Sequence, residues 1–237
     1  MLRWSIQLHK WIALIVGIQV LFWVAGGVVM TAIPIERVRS EHHVAEAKPS
    51  PLAVDEAMPV AEVARRAGLR PVEAQLKTTP RGPVWSLKPA SGDPVILSAA
   101  TGKPMEAMSA ANARVLAQGA YKGDGKTVAA TLLAKAPQET GKTGPLWRVD
   151  FDDAEGTSFY LSPQTGEVVS RRSNVWRFYD FFWRLHIMDL EKGENFNHPL
   201  IIASGVLTLS IVVTGFILLW IRLARDLKTV RMARAGR

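Results

Sequence analysis

The distribution of apolar and polar positions divides the chain into three parts. From Trp11 to Ile35 there are 25 residues without Asp, Glu, Lys or Arg, and from Pro199 to Ile221 there are 23 more. A hydrocarbon core of about 30 Å is crossed by about 20 helical residues. Each stretch therefore predicts a transmembrane helix, over residues 11–35 and 199–221. The first is longer than the roughly 7–15 apolar residues of a removable leader. Its exit, Met30-Thr31-Ala32-Ile33-Pro34, carries no small-x-small cleavage pattern, so an uncleaved anchor is expected. Pro34 has no backbone donor and is a natural stop for the helix.

Between the spans the pattern changes twice. Residues 36–53 are polar and Pro-containing and read as a juxtamembrane linker. Val54 to Gly68 predicts a helix of three to four turns capped by Asp55 and closed by the glycine. Short apolar runs separated by Gly and Pro then predict strands. Within them the chain repeats itself. Pro83-Val84-Trp85-Ser86-Leu87 leads to Leu97-Ser98-Ala99-Ala100-Thr101-Gly102, and Pro145-Leu146-Trp147-Arg148-Val149 leads to Leu161-Ser162-Pro163-Gln164-Thr165-Gly166. The two LSxxTG segments stand 64 residues apart. Ala110 to Tyr121 supplies a second helix between them. Each half thus reads as a helix followed by antiparallel strands, with a Thr-Gly turn in which glycine provides a positive φ. Two such units, 54–108 and 109–173, are of a size to share one α+β core.

Charge decides the orientation. The chain carries 29 Lys+Arg against 21 Asp+Glu, a net charge of +8. Residues 1–10 hold +2 of it and residues 222–237 hold +5, leaving +1 for everything between. A nucleic-acid-binding domain gathers its charge on a folded face, so no nucleic-acid partner is expected. Basic flanks mark the cytoplasmic ends of membrane spans. Both termini are therefore expected inside, as a cytoplasmic 1–10 and a basic tail 222–237. The middle lies on the other side, which in a bacterial inner membrane is the periplasm. Trp4, Trp11 and Trp220 suit the inner aromatic belt, and Trp176 and Trp183, in the aromatic segment 174–198, the outer one. The tail's basic residues recur at helical spacing and suit anionic lipid. Cysteine is absent, which excludes disulfides, iron–sulfur clusters and a thiol nucleophile.

The chain resembles the membrane-anchored PepSY proteins, the PepSY-associated transmembrane family. Leu8-His9-Lys10-Trp11-Ile12-Ala13-Leu14 is similar to that family's opening, Trp183-Arg184-Leu185-His186-Ile187 to its return to the membrane, and Thr214-Gly215-Phe216-Ile217-Leu218-Leu219-Trp220 to its close. Ser162 to Val168 resembles the "D-x-x-TGE-V" end of a PepSY hairpin. The resemblance implies a membrane-anchored α+β protein, with two helices flanking a periplasmic domain of two PepSY-like units. Longer members carry four spans, and some resemble haem b reductases of periplasmic iron chelates. With two spans, this chain is expected to work as a homodimer or with a partner membrane subunit. The same module in protease propeptides implies an alternative, a non-enzymatic binding module that restrains a protease or scaffolds a complex.

Three histidines lie at membrane ends, where an unpaired imidazole is costly and where His is a common axial ligand of haem. His9, His186 and His198 are the candidate haem-iron ligands. Ala13 and Gly17 follow His9 on its helix face, and Gly205 follows His198, leaving space for a flat ring or a close helix. His9 and His198 stand at opposite faces and cannot share one iron. A haem at each face would need His9 to pair with its copy in a dimer and His186 or His198 to close the outer site. The alternative is that these interfacial histidines hydrogen-bond headgroups and water. Ala13/Gly17 and Ser204/Thr208 are the candidate packing faces of that dimer.

Two further clusters have simpler readings. His42-His43 is expected to point in two directions from a solvated linker, so that a metal would require Glu36, Glu41 or Glu46 as well. Asp150, Asp152, Asp153 and Glu155 form an acidic hairpin tip that keeps the turn soluble; Asp150 and Asp152 share a strand face. Gly123-Asp124-Gly125 reads as a turn, and Arg65-Arg66 and Arg171-Arg172 as solvated faces. No zinc-protease helix, nucleophile elbow, P-loop or dinucleotide fingerprint occurs. No nicotinamide or flavin site is expected, and electrons would come from a quinol or a partner.

Overall fold

A computed structural model of the chain describes residues 2–45, 51–52, 54–189, 191, 195 and 197–235. The Lys48-Pro49-Ser50 part of the expected linker, and Glu46, lie outside them. The chain forms two compact units, Met1–Ile33 with Tyr179–Arg237, and Pro34–Phe178.

The first unit is helical. Helix α1 covers Leu2–Ala32 and α6 covers Pro199–Ala235. Both carry runs apolar and long enough to cross a membrane, Ala13–Ala32 and a stretch beginning at Pro199. Helix α1 ends two residues before Pro34, as the missing donor requires. Helix α6 continues through the basic tail, whose helical spacing it takes up. The two helices are antiparallel neighbours. Trp23 meets α6 at Gly205, and a cleft lower down brings Gln19 and Phe22 together with Ser204 and Thr208. The residues 179–187 of a third helix, α5 (Asn174–Ile187), complete this unit, braced by an Asp180–Arg184 ion pair of 2.6 Å one turn apart.

The second unit holds the expected helix-plus-strand repeat. Helix α3 (Val60–Arg66) precedes a three-stranded antiparallel sheet, β1 (Pro71–Thr79), β2 (Gly82–Pro89) and β3 (Val95–Ser98). Helix α4 (Ala110–Ala120) precedes a four-stranded one, β4 (Thr127–Leu133), β5 (Leu146–Phe151), β6 (Ser158–Leu161) and β7 (Val168–Arg172). The repeat extends to single hydrogen bonds. Trp85 pairs with Leu97 across β2–β3, and Trp147 with Leu161 across β5–β6. Each indole N–H donates to a methionine carbonyl ahead of its helix, Trp85 to Met58 at 2.9 Å and Trp147 to Met108 at 3.1 Å. In both Thr-Gly turns the glycine N–H returns to the serine carbonyl, Gly102 to Ser98 at 2.8 Å and Gly166 to Ser162 at 2.9 Å. Both glycines have the positive φ that the turn needs, +70° and +73°.

Three expectations are corrected. Helix α3 is half the expected length, because Pro59 occupies its N-cap and Asp55 lies outside it; the residue before a proline is pushed out of helical geometry. The two units do not share one core. Val63, Leu87 and Leu97 close the first. A larger aromatic cluster, with Phe151, Phe159, Trp147 and Tyr121 among its members, closes the second. Arg81, from the β1–β2 turn, joins them by donating to the carbonyls of Glu106 and Gln164, both at 2.7 Å. Finally, the residues 36–45 are no free linker. Helix α2 (Ile35–Val38) and a 3₁₀ turn at Glu41–His43 fold onto the second sheet's unit, with Val38 and Ser40 buried. Val44 bridges to Tyr121, and Lys122 N–H donates to the His43 carbonyl at 2.8 Å.

Tyr160, fully buried on β6, donates its hydroxyl to Glu139. Burial, and then the Glu139 carboxylate, push its phenol above the ordinary value of 10.0. A raised acid binds its proton more tightly when folded. Stability is therefore retained below about pH 10 and lost as the pH climbs from there toward the folded value. Alkaline unfolding of Tyr160→Phe, followed by circular dichroism, should show a shallower loss above pH 10 than the parent chain shows.

Candidate histidine sites

The structure separates the candidate histidines by depth. His186, near the end of α5, packs beside α1, where its Cβ and Nδ1 lie 3.5 Å from the position a Cβ would take on Gly26. The Trp23 indole donates to the His186 carbonyl at 2.8 Å, fixing the end of α5 against the span. Gly26 is six residues inside the end of α1, so His186 sits about 9 Å down the helix. The end of the aromatic segment thus lies beside the apolar span. His186 Nδ1 is buried there and has no hydrogen-bond partner among the described residues. A polar atom in that state is costly.

His198 immediately precedes α6. Its Nδ1 accepts the Leu200 N–H at 3.3 Å, so the ring acts as a helix cap. Ligation through Nε2 places a proton on Nδ1 in a neutral ring, which requires that cap to be released. From the Trp23–Gly205 contact, His198 stands about 6 Å further than His186 toward the Ala32 end of α1. His9 lies on α1 17 residues before Gly26, about 25 Å away along the axis. His9 and His186 therefore cannot ligate one ion.

The expected packing faces also separate. Among the described residues nothing lies within 4 Å of the place where a Cβ on Gly17 would stand. Ser204 and Thr208, by contrast, line the cleft against α1 with Gln19, and the Gln19 amide nitrogen and Thr208 hydroxyl are buried there without partners among the described residues.

In the second unit the structure joins two clusters that the sequence left apart. The 3₁₀ turn, entered through Ser40 in the left-handed region at φ +53°, brings the rings of His42 and His43 to 4.0 Å from each other. Both Nε2 atoms face Glu155 Oε2, at 3.4 Å from His42 and 3.3 Å from His43. Of the hairpin-tip acids, Glu155 is the one whose carboxylate is shown reaching both rings. Asp150 takes Arg148 Nε at 2.8 Å, and Asp152 accepts the Lys126 N–H at 2.5 Å. Asp153 accepts from Tyr121 and from the Thr157 N–H, both at 2.8 Å. Burial alone would raise both Asp153 and Glu155, but their hydrogen bonds win and hold each below the usual carboxylate range. For Asp153 the donors are Thr157 and Tyr121, with the charge of His43 nearby. For Glu155 they are His43 and Arg37. Tyr121 stacks on His43, with centroids 5.5 Å apart and planes 15° apart. The Gly123-Asp124-Gly125 turn wraps its phenol, and a Cβ on Gly123 would fall 2.6 Å from the hydroxyl oxygen. The glycine there is fixed by the tyrosine as well as by the turn.

Arg65 and Arg66 both pair with Glu62, the latter at 2.7 Å, and the Arg172 guanidinium lies 4.2 Å from the Trp176 ring centroid. Neither pair is a bare solvated face.

Comparison with curated proteins and with solved structures returns no match. The family model described as "PepSY-associated TM region" matches residues 6–237. It covers both long apolar helices and the whole two-sheet region between them. The chain is a membrane protein belonging to the PepSY-associated TM region family.

Proposed function

We propose that the protein is a haem-b-linked electron-transfer component of the bacterial inner membrane, serving the reduction of iron chelates on the periplasmic side. The observation that carries this reading is His186: an imidazole set against a glycine, beside an apolar span, with a buried nitrogen that has no partner among the described residues. Such a group is retained in a membrane where it has a function.

In this reading His186 and His198 hold the outer group and His9 the inner one. Bound haem b supplies a reversible one-electron couple. The chain supplies the positioning. The Trp23 indole fixes the backbone carbonyl of His186, and Gly26 keeps that flank of the ring narrow. His198 exchanges its bond to the Leu200 N–H for the role of ligand. His9 meets its copy in a second chain, across the small-residue face of Ala13 and Gly17, where a Cβ on Gly17 would have no neighbour within 4 Å among the described residues. Both termini then lie in the cytoplasm, and electrons enter from a quinol or a partner subunit.

A reduced-minus-oxidised absorbance spectrum of the full chain, purified in detergent from cells supplied with haem, tests the reading. The sharp bands of a low-spin b-type centre are expected. A sample with no Soret absorbance overturns it, and leaves the non-enzymatic binding module as the reading to pursue.

A further inference from the structure

We propose that His42, His43 and Glu155 form a binding site for one divalent transition-metal ion, of the zinc or ferrous type, on the soluble domain and separate from the membrane histidines. One ligand atom from each residue lies within 4.8 Å of the other two. Two of the three edges are tighter, 3.4 Å and 3.3 Å from the Glu155 oxygen to the two imidazole nitrogens. Ligands held tetrahedrally at about 2.05 Å from zinc stand about 3.35 Å from one another. Those two edges therefore need almost no movement, and the third closes by a rotation of the outer histidine, His42, which is the most exposed of the three.

The surroundings favour a site over a chance ion pair. Glu155 offers Oε2 to the histidines, while its Oε1 takes the Arg37 guanidinium at 3.2 Å. A carboxylate ligand is commonly oriented in this way by a bond to its other oxygen. His43 is held on its flank by the Tyr121 ring, which Asp153 fixes in turn. The backbone following the pair is pinned, by Lys122 N–H to the His43 carbonyl and Ala45 N–H to the Ala120 carbonyl at 2.9 Å. Asp153 Oδ2, 3.9 Å from His43 Nε2, is already engaged by Tyr121. The fourth position is thus left to the open cleft lined by His42, Tyr121 and Glu155, where water or an incoming ligand enters. Two imidazoles and one carboxylate suit zinc and ferrous iron. They are too nitrogen-rich for calcium or magnesium and lack the thiolates that copper(I) prefers.

Equilibrium dialysis of the full chain in detergent against zinc chloride, with calcium chloride as the control, tests the proposal. One zinc per chain is expected, at low-micromolar concentration or below, with no retained calcium. His43→Ala and Glu155→Gln should each weaken zinc at least ten-fold, while His186→Ala leaves it unchanged, so that failure here is distinct from failure of the haem reading. Cobalt(II) bound to the unaltered chain gives a readout that needs no variant, the intense visible bands of a four-coordinate ion. No stoichiometric zinc, or zinc retained equally by His43→Ala and Glu155→Gln, overturns the proposal.

Discussion

If the proposed haem reading holds, His186→Ala should remove the outer haem while leaving both sheets of the protein folded. Deleting a hydrogen-bonding neighbour of a metal ligand already costs about 10–100-fold in affinity, so loss of the ligand itself should exceed ten-fold. The change should be read as pyridine-haemochrome absorbance per chain, beside near-ultraviolet circular dichroism of the soluble domain. That domain's core is built from Phe151, Phe159, Trp147 and Tyr121, none of which depends on residue 186. Alanine also removes the buried nitrogen that has no partner among the described residues. A variant that retains all its haem, or one that is merely stabilised, therefore identifies His186 as an uncompensated packing residue. His9→Ala should spare the outer signal and diminish an inner one, because about 25 Å of helix separates the two positions.

The second large effect tests the repeat. Gly102 and Gly166 occupy equivalent turns with nearly the same φ, +70° and +73°. Alanine at either position must enter the left-handed region, at about 1–2 kcal/mol. Their surroundings differ. An added Cβ at Gly102 meets nothing closer than 3.6 Å, but at Gly166 it lands 2.5 Å from Leu116 Cδ1 and 3.3 Å from Arg81 Cγ. Overpacking of that kind adds about 1–3 kcal/mol. Gly166→Ala should thus destabilise by about 2–5 kcal/mol and Gly102→Ala by about 1–2 kcal/mol. Thermal unfolding of the two variants, followed by tryptophan fluorescence, measures the difference. Equal effects would mean that the Arg81 clasp and Leu116 do not close over the second turn.

What the sequence made legible was local. Two charge-free stretches define spans because crossing a bilayer depends on length and apolarity alone, and Pro34 ends the first for a covalent reason. The repeat was visible because a Thr-Gly turn and a cross-strand tryptophan are set by residues close in sequence. The short α3 was visible too in principle, since Met58-Pro59 forbids the longer helix that the Ala and Glu content suggested. Less legible was anything that two distant segments make together. His42 and His43 face Glu155 across more than a hundred residues, and only the 3₁₀ turn beyond Ser40 sends both rings the same way. The polar composition of residues 36–45 concealed that Val38 and Val44 are enough to seat them. Arg81 gave no signal, because a surface arginine in a turn looks the same whether it is solvated or reaches three carbonyls. His186 was recognisable as a histidine at a membrane end, but its seat against Gly26 depends on how α5 packs beside α1.

The whole account rests on two spans that place the two-sheet domain on one side of a membrane and both ends of the chain on the other. The chain has no cysteine, so single cysteines can be introduced at Ser91, in the exposed turn between β2 and β3, and at Thr229 in the basic tail. Labelling of intact spheroplasts with a membrane-impermeant maleimide should modify Ser91→Cys fully, and Thr229→Cys only after the membrane is permeabilised. Labelling of Thr229→Cys from the outside, or protection of Ser91→Cys, would contradict it.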